Sequence, residues 1–92
     1  MEKTTYNFIE DAGHGWLAVP YKHLQGLRIV DDISQYSYRD GVMCYLEEDC
    51  DAGVFLDAYR RGMKEEPSVR FVNGGDRAAL RDFPHYYKDK EK

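Results

Sequence analysis

Four carboxylates, Glu47, Glu48, Asp49 and Asp51, fall within one short stretch of this 92-residue chain. Carboxylates so close together suit two kinds of chemistry. They can hold a hard cation such as Mg²⁺ or Ca²⁺, which takes oxygen ligands. Alternatively, two of them can act as general acid and general base. The first use is usually announced by a glycine-containing loop of the D-x-D-x-D-G type, and the sequence has none. The second needs a pocket, and so small a chain encloses a shallow one at most. Asp49 and Asp51 also have a structural explanation, because acids at a helix start satisfy orphan N–H groups and the positive end of the helix dipole.

The remaining chemistry-bearing residues are scattered. His14 lies between glycines, His23 on a short helical segment and His85 near the C-terminal end, and nothing in the spacing brings them together or gives Ser34 or Ser37 a base. Asn73-Gly74-Gly75-Asp76 has the outline of a phosphate-binding turn but lacks the Rossmann and Walker spacings, and Asp76 would repel phosphate. Arg70, Arg77 and Arg81 with Phe83, Tyr86 and Tyr87 could contact nucleic acid by charge and stacking. Arg77 and Arg81, four apart, equally suit pairing with the chain's own acids. Cys44 and Cys50, the only cysteines, match no common zinc spacing and read as small packing residues.

A better-supported use of the acids is recognition of a protein. Asp40, Glu47, Glu48, Asp49, Asp51 and Asp57 lie in a stretch with no Lys or Arg from Asp40 to Tyr59. Tyr36, Tyr38 and Tyr45 accompany them, and tyrosines anchor interfaces because the ring is apolar and its tip polar. The bland reading is a solvated acidic face that keeps the protein soluble. The charge distribution points past it. Residues 1–57 carry 11 acids against 4 bases, whereas residues 58–92 carry 9 bases against 6 acids. The net charge of −4 argues against a general nucleic-acid binder and fits a basic partner reached by electrostatic steering.

The elements that must position these residues follow from pattern. Tyr6–Ile9 and Gly15–Val19 read as a hairpin, with Trp16 and Ala18 on one face and Leu17 and Val19 on the other. Pro20 stops the second strand and opens a helical turn carrying Tyr21, Leu24 and Leu27; Arg28–Ile33 adds another short turn. Tyr36–Tyr38 and Val42–Glu47 form a second hairpin about Arg39-Asp40-Gly41, with Val42, Cys44 and Leu46 expected on the core side and Tyr45 outward beside a cross-strand tyrosine. A helix of about 50–61 starts at an Asp49 or Cys50 cap, presents Ala52, Phe55, Leu56, Tyr59 and Met63 as one apolar stripe, and ends at Gly62. Val69–Val72 is a strand, and Asp76 caps a helix ending before Pro84.

These elements give a small single α+β domain: an antiparallel sheet of four or five strands against one main helix plus short helices, over residues 1–87, with 88–92 a charged, disordered tail. A hydrophobic fraction of 42% excludes a disordered chain, no run approaches the roughly 20 apolar residues of a membrane span, and the first residues lack the apolar segment of a signal peptide. The expected location is cytoplasmic.

GHGWLAVP, ISQYSY and YLEEDCDAGVFL together resemble a small uncharacterised family of proteins carried by phages, plasmids and integrated elements of bacteria. The resemblance covers about residues 13–59. It implies no catalytic residues. What it implies is a context in which small acidic proteins inhibit host defence, as anti-CRISPR and anti-restriction proteins do. The expectation is a non-enzymatic inhibitor without cofactor or metal that blocks a basic, nucleic-acid-binding groove of a host protein or nucleoprotein complex. Its partner-binding residues would be Tyr36, Tyr38, Tyr45, Glu47, Glu48, Asp49, Asp51 and Asp57. The alternatives are a nucleic-acid-binding regulator using the arginine-rich C-terminal third and a divalent-metal enzyme using the Glu47–Asp51 carboxylates.

Overall fold

The computed structural model describes residues 4–90. Strand β1 (Thr5–Glu10) and strand β2 (Gly15–Pro20) form the expected antiparallel hairpin, with Phe8 opposite Leu17 and Ile9 opposite Trp16. Gly15 suits this close approach, since a Cβ at that position would lie 2.5 Å from the Phe8 ring and push that side chain aside. Pro20 leads into helix α1 (Tyr21–Gly26), and a single 3₁₀ turn at Val30–Asp32 follows. Strand β3 (Tyr38–Asp40), strand β4 (Met43–Glu47), helix α2 (Asp51–Met63) and strand β5 (Ser68–Asn73) come next, then a 3₁₀ turn at Ala79–Asp82. The strands form one sheet in the order β3-β4-β2-β1-β5.

This is the expected α+β domain with one main helix, but the sheet is mixed. Strand β5 runs parallel to β1, Thr5 opposite Ser68 through Glu10 opposite Asn73, while every other pair is antiparallel. Parallel strands need a long crossover, and α2 supplies it between β4 and β5. Local pattern showed the helix but not which sheet edge the chain returns to.

Other boundaries shift for local reasons. Asp40 pairs with Met43, so the hairpin loop is Gly41-Val42 with Gly41 at φ +60°, and Val42 stands 80% exposed in the turn rather than in the core. Helix α2 has Cys50 at its N-cap without any side-chain cap, and Lys64 takes the left-handed position at φ 59° that Gly62 was expected to fill. Met63, at the end of the predicted apolar stripe, is exposed. The helix expected after Asp76 is the short 3₁₀ turn, preceded by Ala78.

Both faces of the sheet are covered. On one, Tyr6, Leu17, Val19, Cys44 and Leu46 pack against Ala52, Phe55, Ala58 and Tyr59 of α2 and against Tyr21, Leu24, Ile29, Ile33 and Tyr86. On the other, Trp16, Ile9, Tyr38 and Tyr45 lie beneath Ala78, Leu80 and Phe83. The second layer was not expected. It consists of the chain after β5, held by an ionic anchor at Asp11, while a second anchor at Arg39 holds the C-terminal residues on the main-core side with Tyr21. Asp11 accepts hydrogen bonds from Arg81 Nε at 2.6 Å and Nη2 at 2.9 Å, and from the backbone N–H groups of Gly13, His14 and Ala78. Arg39 is buried with its guanidinium 3.7 Å from the Tyr21 ring centre and 4.5 Å from that of Tyr87; it donates to the carbonyls of Gly41 and Tyr87 and pairs with Asp89 at 2.8 Å. Lys88 and Asp89, expected in a free tail, are thereby part of the fold: Lys88 pairs with Asp31 at 2.6 Å and the Asp89 N–H donates to the Tyr21 hydroxyl. Residues 91 and 92 of that expected tail lie outside the described residues.

A buried carboxylate ties the first turn of α2 to the loop before β3. Asp51 is 0% exposed and accepts from the Ser34 N–H, the Ser34 hydroxyl at 2.6 Å and the Ser37 hydroxyl at 2.5 Å; Ser37 Oγ in turn accepts from the Glu47 N–H.

Two measurements check these anchors. Asp51→Ala strands three donors in the interior and should lower unfolding free energy by about 3 kcal/mol in urea titration; a loss below about 1 kcal/mol would mean that water or a rearranged loop replaces the carboxylate. For Asp11, the Arg81 guanidinium first, then the Ala78, His14 and Gly13 N–H groups, hold the carboxyl well below the usual range. Since the folded value lies below the unfolded one, the stabilisation is full above about pH 4 and fades as pH falls from there. Asp11→Asn should therefore lower Tm at pH 7 and flatten its fall between about pH 4 and 2 relative to the natural chain; parallel curves would refute the anchor.

Candidate protein-binding surface

The Asp51 network sets the geometry of the acidic region. By fixing Ser34 and Ser37 it holds the loop between the first 3₁₀ turn and β3, and the Tyr36 N–H donates to Ser34 Oγ at 3.2 Å, so that the Tyr36 ring projects 74% exposed. By taking the Glu47 N–H through Ser37 it also fixes the end of β4, where the chain turns into α2. Between these two segments lies an open groove of about 590 Å³ lined by His14, Trp16, Ser34, Tyr36, Tyr38, Glu47, Asp49, Cys50 and Arg81.

Its wall is a row of aromatic rings. His14 meets Trp16 edge-on with centroids 6.1 Å apart, Trp16 meets Tyr38 at 6.2 Å, and Tyr38 stacks on His85 at 5.1 Å. Arg81, clamped by Asp11, places its guanidinium 4.8 Å from the Trp16 ring centre. The opposite side is acidic. Glu47 accepts a hydrogen bond from the Asp49 N–H, and Glu48 stands 3.8 Å from His14 Nδ1. Among the described residues, none of these three carboxylates pairs with a Lys or Arg. One polar atom is left over. Trp16 is 2% exposed, and its indole Nε1–H has no hydrogen-bond partner among the described residues. A buried donor in that state costs about 1–3 kcal/mol.

Five of the eight residues expected to meet a partner gather here. Tyr36, Tyr38, Glu47 and Asp49 line the groove, and Glu48 stands at its rim against His14. Three do not. Asp51 is buried inside the domain and cannot touch a partner, because the serine donors draw it inward. Asp57 sits on the exposed side of α2, paired with Arg60 at 3.3 Å. Tyr45 pairs across strands with Tyr38, as expected, but its ring lies 5.5 Å from Phe83 under the second layer, where burial raises its pKa.

The sequence reading missed Trp16, Arg81, Ser34 and Cys50 as groove residues. Strand alternation placed Trp16 on the face of β2 opposite Leu17 and Val19 without saying what covers it, and a tryptophan there is a signal that something does. The cysteines are unpaired: Cys44 is buried in the main core, where burial pushes its thiol up to about 11, while Cys50 is exposed on the groove and does not pack as expected. Tyr6 hydrogen-bonds His23 Nδ1 at 2.9 Å at the opposite face, which accounts for that histidine structurally. Among the described residues no three His, Cys, Asp or Glu side chains converge as ligands for a metal ion. No helix among them is long and apolar enough to cross a membrane. The arrangement is an aromatic, acidic cleft suited to a cationic group. No family model, curated protein or solved structure matches the chain.

Proposed function

We propose that this chain is a non-enzymatic binding domain of mobile-element origin that inhibits a host nucleic-acid-handling complex, of anti-CRISPR or anti-restriction type, by occupying a basic groove. One observation carries the reading. Glu47, Glu48 and Asp49 stand beside Tyr36 and Tyr38 on one surface, and no Lys or Arg among the described residues neutralises them. To a groove built for phosphates, such a surface offers negative charge at close spacing and aromatic anchors as well. The sequence resemblance supplies the mobile-element context.

The rival nucleic-acid reading has less support. Arg81 is committed to Asp11 and Arg77 to Asp82 at 2.8 Å, so those cations are already neutralised within the domain. Arg70 is exposed on β5 and donates to Asn7. A metal-dependent enzyme would need the Glu47–Asp51 carboxylates to converge, whereas Asp51 turns inward and the other three outward.

The test is affinity capture from a bacterial lysate with natural and Glu48→Lys/Asp49→Lys baits. Both side chains are exposed, so the fold should tolerate reversal. The natural bait should retain a discrete host complex that is released as salt rises and by added nucleic acid, and whose affinity falls about tenfold or more on the reversed bait. Equal retention on both baits, or release by neither salt nor nucleic acid, would reject occlusion by this surface.

A further inference from the structure

The groove holds two unmet demands of opposite kind within one cleft. Among the described residues, Trp16 contributes a buried indole N–H that lacks an acceptor, and Glu47 and Asp49 contribute carboxylates that lack a Lys or Arg partner. A metal ion or a simple amine would answer only the second demand, and a phosphate or nucleic acid would answer the first while being repelled by the acids. A peptide segment with a basic side chain answers both. Its backbone carbonyl accepts from the indole, while its ammonium or guanidinium lies among the carboxylates and tyrosine faces.

We infer that this groove is the seat of one arginine or lysine side chain of the partner protein, with the adjoining peptide carbonyl accepting from Trp16 Nε1–H. This rests on the protein-binding reading above and names the chemistry of its central contact. The chain already shows that the indole accepts a guanidinium, because Arg81 stacks on it at 4.8 Å. The incoming cation takes the remaining space, between the exposed Tyr36 ring and the carboxylates of Glu47 and Asp49. The indole N–H is sealed from solvent as the groove stands, so the carbonyl reaches it through a local movement of the groove wall. Arginine suits the site better than lysine, since its planar fork can meet two carboxylates and stack on an aromatic ring at once.

Trp16 is the chain's single tryptophan, so the protein carries one indole N–H resonance as a reporter at the site. The experiment titrates ¹⁵N-labelled protein with the blocked tripeptides acetyl-Gly-Arg-Gly-amide and acetyl-Gly-Glu-Gly-amide, and with methylguanidinium. The arginine peptide should move the indole cross-peak downfield and saturate with a Kd of about 1 mM or tighter. Methylguanidinium, which has no carbonyl, should bind more weakly and leave the indole shift small, and the acidic peptide should do nothing. Glu47→Gln/Asp49→Asn should weaken the arginine peptide about tenfold while the rest of the spectrum stays in place.

A cross-peak that does not move with the arginine peptide up to about 10 mM, or that moves equally with the acidic one, overturns the inference. That outcome is separable from failure of the inhibitor reading. Charge-dependent capture with no peptide response removes this groove as the seat and leaves the acidic surface standing. Peptide binding with charge-independent capture does the reverse.

Discussion

A carboxylate sealed from solvent is tolerable only when its surroundings supply donors, and in this domain that requirement organises the acidic end of the molecule. Asp51 enters the interior at the first turn of the main helix, where the helix dipole favours it, and finds its donors on the loop before β3. Ser34 and Ser37 are therefore positioned by the charge they satisfy, and Ser37 hands the constraint on to β4 through the Glu47 N–H. The loop before β3, the end of β4 and the start of α2 are thereby tied into one network around Asp51. The exposed acids beside it can then be presented on a rigid frame, which lowers the ordering cost when a partner binds.

The second organising feature is the use of the sheet's far face. A domain this small could have left that face to water, as antiparallel sheets commonly do. Instead the chain after β5 covers part of it, fastened by Asp11 to Arg81. The cover is partial, and the groove lies where it stops. Trp16 sits at that margin, packed against Ala78 and Leu80 yet with its N–H unanswered.

Much of the frame was legible because its signals are local. Alternation marked the strands, Asp40-Gly41 marked the hairpin, and the spacing of Ala52, Phe55 and Tyr59 marked the helix and the side it buries. The parallel return of β5 was not legible, since nothing in SVRFVN says which edge it joins. Nor was the division among the acids. Asp49 and Asp51 are two residues apart and look alike in sequence, but one faces solvent and the other is fully enclosed, and the difference is made by serines seventeen and fourteen residues upstream of Asp51. The aromatic wall was half visible: Tyr36 and Tyr38 drew attention for their neighbours' charge, whereas Trp16 is brought to them only by the β2–β4 register.

The place of β1 in the sheet bears on how the protein comes into being. β1 lies between β2, its hairpin partner, and β5, whose first residue Ser68 pairs with Thr5 across 63 positions. During synthesis the hairpin can close early, yet one side of β1 stays an open template until Asn73 has left the ribosome. The anchor that seals the far face comes later still, since it waits for Arg81. Long-range closure of this kind slows folding and exposes a strand edge meanwhile. The chain from Ser68 onward thus acts as the closing step of assembly, and a product truncated before it would carry β1 as an unprotected edge.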